Sequence, residues 1–510
     1  MLWFKKEKEK EKINTDTRKT DHPKNVRHLL NQLKRNPDFV HYKHVGGSFS
    51  CWISFFSSLI NDESIHRDVL PFLYSDKIRS LDDIRKNVPI EKMIRTSDLK
   101  EIQTKLMVGF ILIQIRENSN NALLIPSVLR EGRQIEKSEV ETSIIGAKEA
   151  FVEAIDTNIS LIRKRIPIPQ FTVEELRVGK ISNTRVCLTY IDGIANEENI
   201  NTARQRIKDL EIDHLIDTSA LSQLISDNAR SPFPVFIDTE RPDRTTAGLY
   251  EGKIAVLVDG SPNALIIPTT LVEFFNAFDD YFVVWHFATA YRLLRLFAVA
   301  FSVLSSATYV AVLSFHYQLV PTDLLGALIT SRSVVPFSPM VEALILEIMI
   351  ELLREAGARL PTKVGQTMGI VGGIVIGTAS VQAGLTSNVL LILVAMSALA
   401  AFTTPNYKMG TTIRFLRFPF IVAANIWGLL GITVCFTFFV CHLLRLTSLG
   451  RPFIEPIYPL RLIDLKDSFI RFPYSHQTER PMFLRPGDPS RFDYKRSKKR
   501  AGIQQNDIDE

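Results

Sequence analysis

From Leu296 to Phe315 the chain runs for twenty residues without a charged side chain, LFAVAFSVLSSATYVAVLSF. As an α-helix rising about 1.5 Å per residue, this run covers about 30 Å, the thickness of a bilayer hydrocarbon core. Tyr281, Trp285 and Tyr291 precede it, where aromatic side chains anchor a span at the membrane interface. Lipid leaves no partner for free backbone N–H and C=O groups, so a chain that enters it does so as helices or as a closed barrel. The run therefore points to a helical membrane domain.

Two more stretches extend that domain. Val364 to Tyr407 holds no Asp, Glu, Lys, Arg or His over 44 residues, enough for two crossings with a turn near Gly384 to Asn388. Phe418 to Cys441 is again uncharged. Clear spans are expected at about 296–315, 364–385, 388–405 and 418–444 of a membrane domain covering 281–445. Between the first two, residues 319–360 read differently. Leu319 to Phe337 is interrupted by Pro321, Asp323, Arg332 and Pro336, which suits a re-entrant or interfacial piece anchored by Arg332. Met340 to Leu360 carries Glu342, Glu347, Glu351 and Glu355 and either spans or lies flat. The span count is four or five: the basic C-terminal tail favours an even number, whereas Lys408, Arg414 and Arg417, read as a loop, favour five. Four, with both tails inside, is the adopted reading.

The averages, 46% hydrophobic and 23% charged, resemble a soluble protein, but charge is concentrated before Arg244 and after Arg445. Residues 1–26 are too charged to bury a core and read as a disordered tail. Residues 27–150 and 151–280 read as two α/β subdomains. Phe55 to Ile65 aligns with Tyr190 to Ile200, each a strand, a polar turn and the start of a helix; the echo marks either a repeat or a chance similarity. The N-terminus, MLWFKKEKEKEK, lacks the apolar core of a secretory signal, so the α/β domain is expected in the cytoplasm. Residues 446–510 form a basic tail, and Lys495 to Arg500 suit anionic lipid headgroups better than nucleic acid. The four cysteines show no CxxC spacing and read as buried thiols.

Catalytic chemistry finds little support. The sequence has no phosphate loop, GxSxG elbow, HExxH or calcium loop, and Gly252-Lys253 precedes a strand instead of following one. His286 and His316, at the ends of the first span, read as interfacial anchors. No catalytic, cofactor or metal residues are expected, and the chain is not expected to be an enzyme. The strand-turn-strand GKIAVLVDGSPNALIIP resembles an active-site turn at Asp259, Gly260, Ser261 and Pro262. With no base or metal ligand near it, it reads instead as a rigid hairpin that couples the α/β domain to Tyr281, Trp285 and the first span. Gly365, Gly369, Gly373 and Gly377 recur every four residues, a small-residue face for helix packing, within or between subunits, or a pore wall. Glu347, Glu351 and Glu355 share one stripe of an apolar helix. In a ring of subunits they would give acidic rings on a cation pathway; the alternative is an interfacial helix with solvated glutamates and Glu355 paired to Arg359.

Ser231-Pro232-Phe233-Pro234, Thr239 to Asp243, Val258 to Pro262, Pro268-Thr269-Thr270, Asp279-Asp280-Tyr281, Arg292 to Arg295, Ser331-Arg332, Glu351 to Gly357, Gly369 to Gly373 and Arg414 to Arg417 follow one another along the chain. This series resembles the A subunits of GerA-type spore germinant receptors over residues 185–460. It departs from the family at Ser57-Ser58-Leu59, where an Asp-Gly-Leu turn is usual. The resemblance implies an integral protein of the spore inner membrane, working with a transporter-like B subunit and a lipoprotein C subunit. The B subunit is expected to receive the nutrient and A subunits to form an oligomeric cation channel that initiates germination. A non-conducting scaffold that relays the state of the B subunit is the competing reading. A secondary transporter is disfavoured, since no inverted repeat of broken helices is visible.

Overall fold

The computed structural model describes residues 23, 25–46, 49–60, 62–74, 78–117, 119–127, 141, 146–359, 377–461 and 464–492. Most of the 1–26 tail, Gly365, Gly369 and Gly373, most of the 364–385 span and the basic run 495–500 lie outside the described residues.

The N-terminal half contains two five-stranded antiparallel sheets built to one plan. The first unit runs α1 (Val26–Leu33), β1 (Phe39–Gly46), β2 (Phe49–Phe56), a helical stretch over 62–73, α2 (Leu81–Asn87), β3 (Ile94–Thr96), α3 (Leu99–Leu106), β4 (Phe110–Gln114) and β5 (Ala122–Pro126). The second runs α4 (Ile155–Arg165), β6 (Phe171–Val178), β7 (Thr184–Ile191), α5 (Glu197–Lys208), α6 (Thr218–Ile225), β8 (Ile237–Thr239), α7 (Pro242–Glu251), β9 (Ile254–Val258) and β10 (Ala264–Ile267). Strand orders are β1-β2-β4-β5-β3 and β6-β7-β9-β10-β8, the same permutation twice. The Phe55–Ile65 and Tyr190–Ile200 segments occupy matching places, each leaving a second strand through a turn into a helix. β9 and β10 are buried along their whole length, which explains their unbroken apolar sequence.

The two units are tied by one buried ion pair. Arg163 of α4 donates from Nε and Nη2 to Asp38, just before β1, at 3.0 and 2.9 Å. Its guanidinium lies 4.2 Å from the Phe56 ring and 4.9 Å from that of Phe171. Burial lowers the Arg163 pKa while the Asp38 charge opposes that shift. Two of the four cysteines, Cys51 and Cys187, are buried, their thiols pushed up to about 11 and about 12 by desolvation. Cys441 is exposed and Cys435 partly so, contrary to the expectation of four buried thiols, because both lie on the outer arm of a helical hairpin described next.

The second half is helical: α8 (Trp285–Phe315), α9 (Thr322–Arg332), α10 (Pro339–Arg359), α11 (Gly377–Gln382), α12 (Asn388–Ala401) and α13 (Tyr407–Arg445). By length and composition alone α8 and α13 are each long and apolar enough to cross a membrane, each holding an 18-residue stretch of mean hydropathy 2.0. The expected 388–405 span corresponds to α12, whose 14 residues reach only about 21 Å. Nor is 418–444 a single straight span. Trp427 and Gly428 leave the helical region, Gly428 at φ 60° and ψ −137°, a conformation open essentially to glycine alone. There the chain doubles back. Phe420 and Phe439 stack at 5.5 Å, and a Cβ on Gly431 would sit 2.0 Å from the Ala423 carbonyl oxygen. Gly431→Ala is therefore expected to force the arms apart and sharply reduce the amount of folded protein in the membrane fraction; wild-type abundance would count against this hairpin.

Both ends of the hairpin return to the α/β domain. Lys408 pairs with Asp238, Thr412 Oγ1 donates to the Pro232 carbonyl at 2.6 Å, and His442 Nε2 lies 2.9 Å from Ser231 Oγ. Met409, Ile413, Leu446, Leu449 and Phe453 join the core formed by β7, β9 and β10, so no flexible joint separates the two halves at this point. The tip of the hairpin meets the far end of α8, with Gly428 against Phe315 and His316. Residues beyond α13 stay on the domain side: Gly487 N donates to the Ile194 carbonyl at 2.9 Å and Arg480 Nε to that of Tyr250 at 2.9 Å.

Candidate functional site

α10 places Glu342, Glu347, Glu351 and Glu355 about one turn apart along its length, and the helices around it answer the first three carboxylates with arginine. The central rung is the most enclosed. Glu347 and Arg417 are each 1% exposed. Arg417 Nη1 donates to Glu347 Oε2 at 2.8 Å, and its Nη2 to Ser302 Oγ at 2.8 Å and the Ser397 carbonyl at 3.2 Å. Ser306 Oγ completes the rung by donating to Glu347 Oε1 at 2.7 Å. One ion pair thus joins α8, α10, α12 and α13.

The rung farther from the α/β domain is centred on Glu342, which is buried. Its Oε1 accepts from the Ser387 N–H and Oγ at 2.7 Å each and from Thr386 Oγ1 at 3.2 Å. Ser387 is the N-cap of α12, so the carboxylate also sits at the positive end of that helix. The Ser387 hydroxyl spends its one hydrogen on the bond to Glu342, so Tyr309 is the donor to Ser387 Oγ, at 2.9 Å. Arg332 Nε lies 3.5 Å from Glu342 Oε2, too poorly aligned for a hydrogen bond but near enough for charge compensation. Arg332 Nη2 donates to the Phe337 carbonyl at 3.2 Å, closing the turn that leads from α9 to α10. Nearer the domain, Glu351 Oε1 faces Arg414 Nε at 3.4 Å and Arg354 Nη1 at 3.7 Å. Glu355 departs from the series: it is 64% exposed and pairs with Arg359 at 2.6 Å.

Glu347 and Glu351 are thus brought together in the bundle interior, Arg332 joins them through Glu342, and Glu355 is left outside. Sequence reasoning names Arg359 as the partner of Glu355 but misses Arg414 and Arg417 as the partners of Glu351 and Glu347. In the sequence Arg414 and Arg417 read as part of a loop whose charge bears on topology. They lie inside α13, one turn apart, facing α10, so their charge reports on internal pairing and says nothing about sidedness. The available signal was their position in RFLRFPF, between apolar residues, where a cation needs a buried partner. Gly377, the described member of the glycine ladder, has room for a Cβ at 3.8 Å from Leu391 of α12, an ordinary contact.

The β9–β10 turn is placed away from the first long helix. Gly260, at φ 86°, donates its N–H to the Glu153 carbonyl at 2.9 Å. Asp259 Oδ1 accepts from the Ile155 N–H at 3.4 Å, supplying the N-cap that Ala154 has no side chain to provide. Ser261 Oγ lies 3.0 Å from Thr218 Oγ1 at the start of α6. The four residues of β10, at about 3.4 Å each, carry the chain about 14 Å from this turn to Pro268, and it is the Pro268 end that leads to α8.

The base of α8 is instead locked by the C-terminal segment. Asp280 accepts from Arg292 Nε at 3.4 Å and from Arg295 Nη1 at 3.1 Å. Arg292 Nη1 also donates to the Asp467 carbonyl and carboxylate at 2.6 and 3.1 Å. The Tyr281 hydroxyl donates to Asp467 Oδ2 at 2.7 Å. Arg471 reaches the carbonyls of Asp280, Val283 and Tyr281 at 2.5, 2.6 and 3.1 Å. Desolvation raises the Tyr281 phenol well above its ordinary value and also raises Asp467, against the pull of Arg292.

The family model described as Bacillus/Clostridium GerA spore germination protein matches residues 27–483. The chain belongs to the GerA family of spore germination proteins. It is 47% identical over 487 residues to spore germination protein GerQA of Bacillus cereus, covering 96% of this chain and 98% of that one. It is 45% identical to GerIA of Bacillus cereus, with 90% of this chain and 69% of the relative covered, and 34% identical to spore germination protein A1 of Bacillus subtilis, with 89% and 94% covered. A crystal structure of the N-terminal domain of the A subunit of the Bacillus megaterium spore germinant receptor GerK3 matches at 27% identity and TM-score 0.37, over 47% of this chain and 91% of that one. In this GerA chain the blocks Asp279 to Tyr281, Arg292 to Arg295, Ser331-Arg332, Glu351 to Gly357 and Arg414 to Arg417, on which the sequence resemblance rests, fall on the α8 base or on the ladder of charges along α10.

Proposed function

We propose that this GerA-family chain is the polytopic membrane subunit of a nutrient-responsive spore germinant receptor. It acts with a transporter-like subunit and a lipoprotein subunit in the spore inner membrane, its α/β domain facing the cytoplasm. The described helices fit an even number of crossings, since the α/β domain, both ends of the α13 hairpin and residues 446–492 share one side. In an oligomer the subunit opens as a cation channel when α10 shifts against α12 and α13. The observation that carries this reading is the Glu347–Arg417 rung, a fully desolvated ion pair shared by four apolar helices. Such a rung favours one packing strongly over others, which is the requirement for a gate with discrete states.

The competing reading, a non-conducting scaffold, draws on the same ladder. Every carboxylate of α10 has an arginine partner within the chain, so an acidic ring arises only after α10 leaves those partners. Spores carrying Glu351→Gln or Glu355→Gln decide between the two. The channel reading expects altered potassium release or altered cation selectivity on nutrient addition, at normal receptor abundance. Unchanged flux and selectivity in both variants favours the scaffold.

A further inference from the structure

Charge along α10 does not balance. Four carboxylates face five arginines, and the excess falls at one level, where Glu351 alone serves Arg354 and Arg414. Neither contact is a hydrogen bond: Arg354 Nη1 and Arg414 Nε are both buried without a hydrogen-bond partner. Arg414 Nη2 is occupied by Thr411 Oγ1 at 2.9 Å, and the Arg354 guanidinium carbon stands over the Phe402 ring, 4.3 Å from its centre. Among the described residues, no other carboxylate pairs with either arginine. Residues 356–454 contain neither Asp nor Glu, so the whole stretch from the end of α10 through both arms of α13 offers no second carboxylate.

A desolvated surplus cation is costly and draws a counter-anion from whatever medium it can reach. This level is reachable. The Arg354 side chain is 18% exposed and that of Arg414 10%, unlike the closed rung at Glu347. It lies toward the α/β-domain end of the bundle: α10 ends five residues beyond Arg354, and α13 begins seven residues before Arg414, about 8 and 10 Å along the helix axes. Exposed Phe402 and Tyr407 flank it, as aromatic side chains do at headgroup depth. Two guanidiniums converging at that depth suit a tetrahedral oxyanion, which offers each fork a pair of acceptor oxygens.

We infer that Arg354 and Arg414 form a phosphate-binding site at the membrane interface on the α/β-domain side, with Glu351 as its internal competitor. The phosphate comes either from an anionic phospholipid headgroup or from free phosphate. The site sets α10 against α13 from the rim, above the closed rung.

The test uses the full-length protein purified in neutral detergent, with thermal stability and phospholipid retention as readouts. Vesicles of phosphatidylglycerol are compared with vesicles of phosphatidylcholine, and inorganic phosphate is titrated separately without lipid. Stabilisation by phosphatidylglycerol alone identifies a headgroup, and stabilisation by inorganic phosphate identifies the free anion. Arg414→Gln is expected to weaken binding about tenfold, the scale of one lost charge-assisted hydrogen bond. Glu351→Gln keeps both arginines, removes the competing carboxylate, and is expected to tighten binding by a similar factor. No stabilisation by either probe overturns the site. So does a Glu351→Gln protein that binds less than wild type, or an Arg414→Gln protein that binds equally.

Discussion

Glu347→Gln is expected to destabilise the helical domain by about 3–5 kcal/mol, the cost of leaving a buried charge without its partner. Arg417 would keep its bonds to Ser302 and the Ser397 carbonyl but face no negative charge at 1% exposure. The loss should appear as a lower midpoint in thermal unfolding of the detergent-solubilised protein and as reduced abundance in the membrane fraction. Replacing both partners, Glu347→Met with Arg417→Met, removes the isolated charge, and the volume stays filled. That variant is expected to regain much of the lost stability while losing whatever directional hold the rung exerts on α10. A single variant as stable as wild type, or a double variant no better than the single, would show that the rung is not a coupled unit.

Asp38→Ala should have an effect of similar size at the joint between the two α/β units. It leaves Arg163 fully buried between Phe56 and Phe171, with no carboxylate to offset the desolvation that already lowers its pKa. The expected loss is about 3–5 kcal/mol, read in urea unfolding of the full chain as an earlier transition. Because Asn36 Oδ1 still accepts from the Val173 N–H at 2.9 Å, the units should remain in contact at low denaturant. An unfolding curve superimposable on that of wild type would mean that the ion pair contributes nothing net to this interface.

Much of the architecture was legible because periodicity and hydropathy act locally. The uncharged run from Leu296 to Phe315 became the core of α8, and the Phe55–Ile65 and Tyr190–Ile200 echo fell at equivalent points of two sheets with one strand order. The failures share a cause. The span expected at 418–444 turned out to be part of a hairpin, because hydropathy sums side chains and is blind to a backbone reversal at Trp427-Gly428. Asp259 to Pro262 is near α8 in sequence but packs on Glu153, Ile155 and Thr218, because an antiparallel pair carries its turn away from whatever follows its second strand. The lock on α8 comes from Asp467 and Arg471, nearly two hundred residues later.

The sequence by itself determined which segments avoid water, where charge is scarce enough to demand an explanation, and, through its motif blocks, the family. Those are properties of side chains taken one window at a time. Only the tertiary structure decided how the charges are used. Glu347 has the same composition around it whether it lines a pore, faces water or holds Arg417. The choice rests on which face of α13 turns toward α10, and that is fixed by packing among helices far apart in the chain.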